Sequence, residues 1–148
     1  MKALRLATLV ATVSLVGFVS TASAEAPAPV LFSLHPTHFG PEVGPWEASG
    51  AITDSGSFVQ TFAQTAPPDR PFGVPGPFRE VFVLDGSQGT LTIKDESVDT
   101  GSSVTGVWQV VSGTGVYEDA SGHGTLSFSV SPGPIFTLSL AGVISKVG

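Results

Sequence analysis

Two stretches of β-type sequence set a polar group among aromatic rings. In Ser57–Gln64 alternate positions carry Phe58, Gln60 and Phe62, and in Phe78–Asp85 they carry Glu80, Phe82 and Leu84. Side chains two apart on a strand share a face, so rings pointing inward bring Gln60 and Glu80 with them. A carboxyl among rings is disfavoured as an anion. Its pKa rises, and it becomes a candidate general acid or base near neutral pH. Gln60 offers an amide that either orients a ligand or is satisfied by a neighbouring strand. The opposite register turns Arg79, Val81, Val83 and Asp85 inward and leaves Glu80 in water; alternation alone admits both. Trp46, Trp108 and Tyr117 are large rings with polar handles, the kind that line a pocket for an apolar molecule. They serve equally as core, with Tyr117 plugging one end of the fold. The candidate site is therefore Glu80 as the catalytic residue, with Trp46, Phe58, Gln60, Phe62, Phe82, Trp108 and Tyr117 binding the ligand.

Other chemistries find little support. His35 and His38, three apart on an extended chain, point to opposite faces and chelate poorly. Asp95–Gly101 loosely echoes a calcium loop, but its glycine comes one place late and Gly106 stands where the closing glutamate belongs. A solvated acidic turn is the better reading, and no metal or cofactor is expected. No serine sits in a G-x-S-x-G frame, no glycine-rich phosphate cradle occurs, and the chain has neither Cys nor Asn.

The first 24 residues read as a leader. Lys2 and Arg5 precede the apolar run Leu6–Val19, and Ala22-Ser23-Ala24 is a small-x-small cleavage site. Removing Lys2 and Arg5 from six basic residues leaves four against twelve acidic ones, a formal charge of −8. Such a surface repels nucleic acid and anionic membrane. The expected location is secreted or periplasmic, with no membrane anchoring. The expected organisation is a signal peptide (1–24), a proline-containing segment (25–45) and a β-barrel domain (46–148).

These residues must be positioned by strands. Prolines cluster at Pro27–Pro45, Pro67–Pro77 and Pro132–Pro134, where missing N–H donors mark loops and edges. Between them lie Val30–Phe39 (interrupted at Pro36), Trp46–Thr53, a turn at Asp54–Gly56, Ser57–Gln64, a hairpin Phe78–Asp85/Gly89–Lys94, Ser103–Val111, Gly122–Val130 and Ile135–Ser145. Loop Thr65–Pro77, with five prolines and two glycines, is the expected lid. Alternation turns inward Leu91 and Ile93; Val104, Trp108 and Val110; Leu126, Phe128 and Val130; and Phe136, Leu138 and Leu140. Short strands with tight polar turns indicate an all-β fold, an antiparallel closed barrel of about eight strands, calycin-like, which also removes exposed edges.

Residues Ser112–Gly124 bracket a short acidic segment with Gly113/Gly115 and Gly122/Gly124. They resemble the GTG-x-[YF]…G-x-[GA] signature of allene oxide cyclase and dirigent-like β-barrels. Trp46–Phe58, Gly89–Ile93 and Val107–Gly115 are similar to small secreted bacterial proteins placed near that superfamily. The resemblance implies an eight-stranded barrel with an apolar lumen, often assembled as homo-dimers or trimers. In plant cyclases the lumen confines a reactive epoxide fatty acid, and in dirigent proteins it orients radicals. Gly113, Thr114, Gly115, Tyr117 and Gly122 match the shared turn; His123 replaces an aromatic common in dirigent proteins. The leading expectation is a barrel binding a small apolar molecule in its lumen. The alternatives are a cyclase or isomerase using confinement and one acid–base group, and a barrel packed solid that binds nothing.

Overall fold

A computed structural model describes residues 26–148; the expected leader lies outside them. Eight strands, β1 (Ala28–Leu34), β2 (Val43–Gly50), β3 (Asp54–Thr65), β4 (Gly76–Gly86), β5 (Gly89–Asp99), β6 (Val104–Gly113), β7 (Ser121–Ser131) and β8 (Ile135–Ser145), run up and down in chain order. Each pairs antiparallel with the next, and β1 pairs with β8 to close the barrel. A single 3-10 turn, Gly115–Tyr117, links β6 to β7. Among the described residues no helix is long and apolar enough to cross a membrane.

The prolines of segment 25–45 lead one to expect it ahead of the barrel, but it supplies the closing strand. Val30, Phe32 and Leu34 of β1 are buried, and β1 pairs with β8 from Ala28↔Ile144 to Leu34↔Leu138. Without that strand two edges would lie open. The Asp54–Gly56 turn is likewise corrected: Asp54 opens β3, and the reversal falls at Ala51–Thr53.

The midsection is filled by rings and aliphatics. Phe32 packs edge-on to Trp108 at 5.6 Å and tilted against Trp46 at 6.2 Å, while Phe58 meets Phe82 at 5.8 Å. Leu84, Leu91, Ile93 and Leu140 are wholly buried around them. Trp108 fits because Gly124 and Gly142, paired across β7 and β8, face it; a Cβ on either would come within 2.8 Å of its ring. Its indole N–H donates to the Ala141 carbonyl at 3.2 Å, and that of Trp46 to the Asp85 carbonyl at 3.1 Å.

The two ends differ. At one, the short connections β2–β3, β4–β5 and β6–β7 meet, and buried Tyr117 donates its hydroxyl to Asp54 Oδ2 at 2.7 Å. Asp54 also accepts from the Ser87 hydroxyl at 2.7 Å and from the backbone N–H groups of Ser55, Ser87 and Gln88. Burial works against its charge, but these donors outweigh it and hold the carboxyl at about 2. Burial and the Asp54 anion raise the Tyr117 hydroxyl well above its ordinary value. At the opposite end the proline-rich connections β1–β2, β3–β4 and β7–β8 gather.

Candidate functional site

Glu80 points into the barrel and is 6% exposed. The reason is its strand register. Phe82 and Leu84 share its face and are wholly buried, while Arg79 and Asp85 on the other face are exposed. Gln60, 8% exposed, lies beside it and donates from Nε2 to Glu80 Oε1 at 2.7 Å. The polar pair that alternation puts on one face is therefore a contact between β3 and β4.

Phe62 does not join them. A β-bulge interrupts the β3–β4 register between Gln60 and Phe62, and the inserted residue reverses which face the chain beyond it presents. Thr65 is consequently buried, and Phe62 is 44% exposed on the outer wall with the Arg79 guanidinium 5.6 Å above its ring. Its expected place in the lumen is corrected.

Strand β5 adds what the sequence reading assigns to a solvated acidic turn. The inward alternation Leu91, Ile93 continues through Asp95 and Ser97, each 2% exposed, because β5 pairs with β4 as far as Asp99. Asp95 Oδ1 accepts the Glu80 backbone N–H at 2.9 Å, and Oδ2 accepts the Ser97 hydroxyl at 3.2 Å. From the β1–β2 connection, Glu42 donates its N–H to Gln60 Oε1 at 3.3 Å, and the Glu42 carbonyl accepts the Gln60 N–H at 2.8 Å. Side-chain and backbone hydrogen bonds thus link Glu42, Gln60, Glu80 and Asp95 into one polar layer on the β3–β5 side of the barrel.

Their proton affinities follow from that crowding. Burial, then the Asp95 and Glu42 carboxyls, push Glu80 up to about 9 against the opposing hydrogen bond from Gln60. Burial raises Asp95 to about 7, though Ser97 and the Glu80 N–H favour its anion. Burial and then Asp95 raise Glu42 to about 7. At neutral pH Glu80 holds its proton and can donate it.

Above this layer, at the proline-rich end, a cavity of about 260 Å³ opens. Phe39, Phe72, Phe78, Phe128, Phe136 and Leu138 supply its apolar walls; Glu42, Glu80, Asp99 and Arg70 supply its polar groups. Phe39 stands edge-on to Phe136 at 4.8 Å, Phe128 stacks on Phe136 at 6.0 Å, and Phe72 meets Phe78 at 5.8 Å. Loop Thr65–Pro77, expected as a lid, contributes Arg70, Phe72 and Gly73. Arg70 is fixed to its own loop, donating to the Ala66 carbonyl at 3.3 Å and the Pro77 carbonyl at 2.8 Å.

Of the residues singled out from the sequence as the site, only Glu80 lines this cavity. Gln60 supports it from beneath. Trp46, Phe58, Phe82 and Trp108 fill the midsection, and Tyr117 closes the far end. None of these five is a wall of the cavity, because the first four are packed against one another below it and Tyr117 lies at the other end. Sequence reasoning misses Glu42, Asp95 and Ser97. Asp95 and Ser97 are legible as the continuation of a period of two; Glu42 is not, since a loop residue carries no alternation. Among the described residues no group of three or more His, Asp or Glu is placed to hold a metal ion. Compared with known proteins, the chain matches no family model, no curated protein and no solved structure.

Proposed function

We propose that this barrel binds a small, largely apolar molecule at its proline-rich mouth, with Glu80 meeting the ligand's polar end. The carrying observation is the 260 Å³ cavity walled by phenylalanine rings, with one buried carboxyl at its base. A concave apolar site with few, fixed polar groups is the usual form of a small-molecule pocket. Covering about 200 Å² of apolar ligand surface contributes roughly 5 kcal/mol before the costs of association. Apolar contact alone thus supports no better than about 0.2 mM affinity, and the polar end must add the rest. The eight-stranded closed barrel supports the resemblance to allene oxide cyclase and dirigent-like proteins, and membership of that superfamily is part of the proposal. So are the calycin-like comparison, secretion and assembly of copies.

The neutral fluorophore N-phenyl-1-naphthylamine tests the reading. Its emission should rise on mixing with the protein, and Phe136→Ser should weaken that binding about tenfold by opening the wall. No rise with the unaltered protein would refute it.

A second reading, a cyclase or isomerase, rests on Glu80 itself: a carboxyl that holds its proton at neutral pH beside an apolar cavity is equipped as a general acid. Under that reading Glu80→Gln removes turnover of a confined substrate.

A further inference from the structure

The composition of the mouth says more about its ligand than that it is apolar. Five phenylalanine rings surround the space, and three of them, Phe39, Phe128 and Phe136, form a contiguous group. Ring faces carry negative electrostatic potential and attract ammonium groups, an attraction that grows where water is excluded. The polar groups facing the same space are mostly carboxyls: Glu42 from the β1–β2 connection, Glu80 from β4 and Asp99 from β5, with Asp95 of β5 directly behind Glu80. The one donor reaching the Glu80 side chain among the described residues is the Gln60 amide on Oε1. Oε2 is left to the cavity. Arg70 is the cation of the rim, and two of its donors are directed at carbonyls of its own loop.

We propose that the mouth takes an amphipathic amine, its ammonium group seated against Glu80 and Glu42 and its hydrocarbon body among the phenylalanine rings. This rests on the reading of the cavity as a binding site and adds the class of ligand. The acidic surface works in the same direction, since a field of one sign draws the opposite charge toward a low-dielectric cleft. An ammonium also completes the polar layer: it donates to Oε2 and offsets the burial and the carboxyl crowding that keep a proton on Glu80. On binding, that proton leaves for the buffer, the amine remains protonated, and a charge-assisted hydrogen bond forms at Oε2.

Three ligands with one phenylethyl body separate the outcomes: 2-phenylethylamine, 2-phenylethanol and 3-phenylpropanoate, each competing against N-phenyl-1-naphthylamine at pH 7.5. The amine should bind about tenfold more tightly than the alcohol, and the carboxylate most weakly. Calorimetry in buffers of different ionisation heat should show release of about one proton with the amine and none with the alcohol. In Glu80→Gln the preference for amine over alcohol should shrink toward parity and the proton release should fall. If probe and alcohol bind but the amine binds no better, or binds without releasing a proton, the amine assignment is overturned while the cavity stands as a binding site. If neither the probe nor any of the three ligands binds, both readings fall.

Discussion

Replacing Glu80 by glutamine should make the protein more stable at neutral pH and leave it almost unchanged in mild acid. In the unfolded chain this carboxyl ionises near its ordinary value of 4.5, while in the barrel it holds its proton until about 9. A carboxyl whose folded value is raised destabilises the fold progressively as pH climbs between those two values, because the unfolded state releases a proton that the native state keeps. Below about 4.5 both states are protonated and the penalty vanishes. At pH 7 the gap to 4.5 is worth about 3 kcal/mol at 1.4 kcal/mol per pH unit. That figure holds for any folded value above 7. The substituted amide would retain an oxygen to accept from Gln60, whose Nε2 now lies 2.7 Å from Glu80 Oε1. For a domain of this size the gain corresponds to a rise in Tm of roughly 10 °C. Thermal unfolding followed by circular dichroism at pH 4.5 and pH 7.5 measures both limits. Equal Tm differences at the two pH values, or a variant less stable at pH 7.5, would show that Glu80 is not held as a buried acid.

Three further outcomes test the remaining architecture. Gly115→Val should lower Tm far more than Thr114→Ser, because Gly115 has φ +62° and a Cβ there would lie 2.3 Å from the Gln88 carbonyl oxygen, whereas serine keeps the hydroxyl that bonds Thr90; similar melting curves would refute the strained turn. Tyr117→Phe should cost about 1–3 kcal/mol at pH 5 by stripping a donor from Asp54. That cost should shrink as pH falls toward 2, where Asp54 takes up its proton; a pH-independent cost would place the loss elsewhere. Phe82→Ala should cost about 3–5 kcal/mol in urea unfolding, while Phe62→Ser should cost little. Comparable losses would mean that the bulge after Gln60 does not turn Phe62 outward.

Much of the barrel is written in local sequence. The bounds of β8, Ile135–Ser145, follow from alternation of large apolar and small or polar residues after a proline turn. The β4–β5 hairpin follows from Gly86 and Gly89 flanking two polar residues, and the tight exit from β6 from glycines able to take positive φ. The pairing of Gln60 with Glu80 is also within reach, since each carries its polar group on an aromatic face. What alternation cannot supply is its own phase: either face of Phe78–Asp85 would satisfy it, and only packing of Phe82 and Leu84 against the other strands selects the one that buries Glu80. A bulge is a property of two strands together, so the outward turn of Phe62 exists only once β3 has registered on β4. Asp95 belongs to a strand rather than a turn because β4 is long enough to pair with it, and its carboxyl is buried because the barrel closes around it. Closure itself depends on β1 reaching β8 across the whole barrel sequence. The mouth cavity joins Phe78, Phe128 and Phe136 of the strands to Phe39 and Phe72 of loops, which have no periodicity to read, and it is there, where distant segments meet, that tertiary structure decided the candidate site.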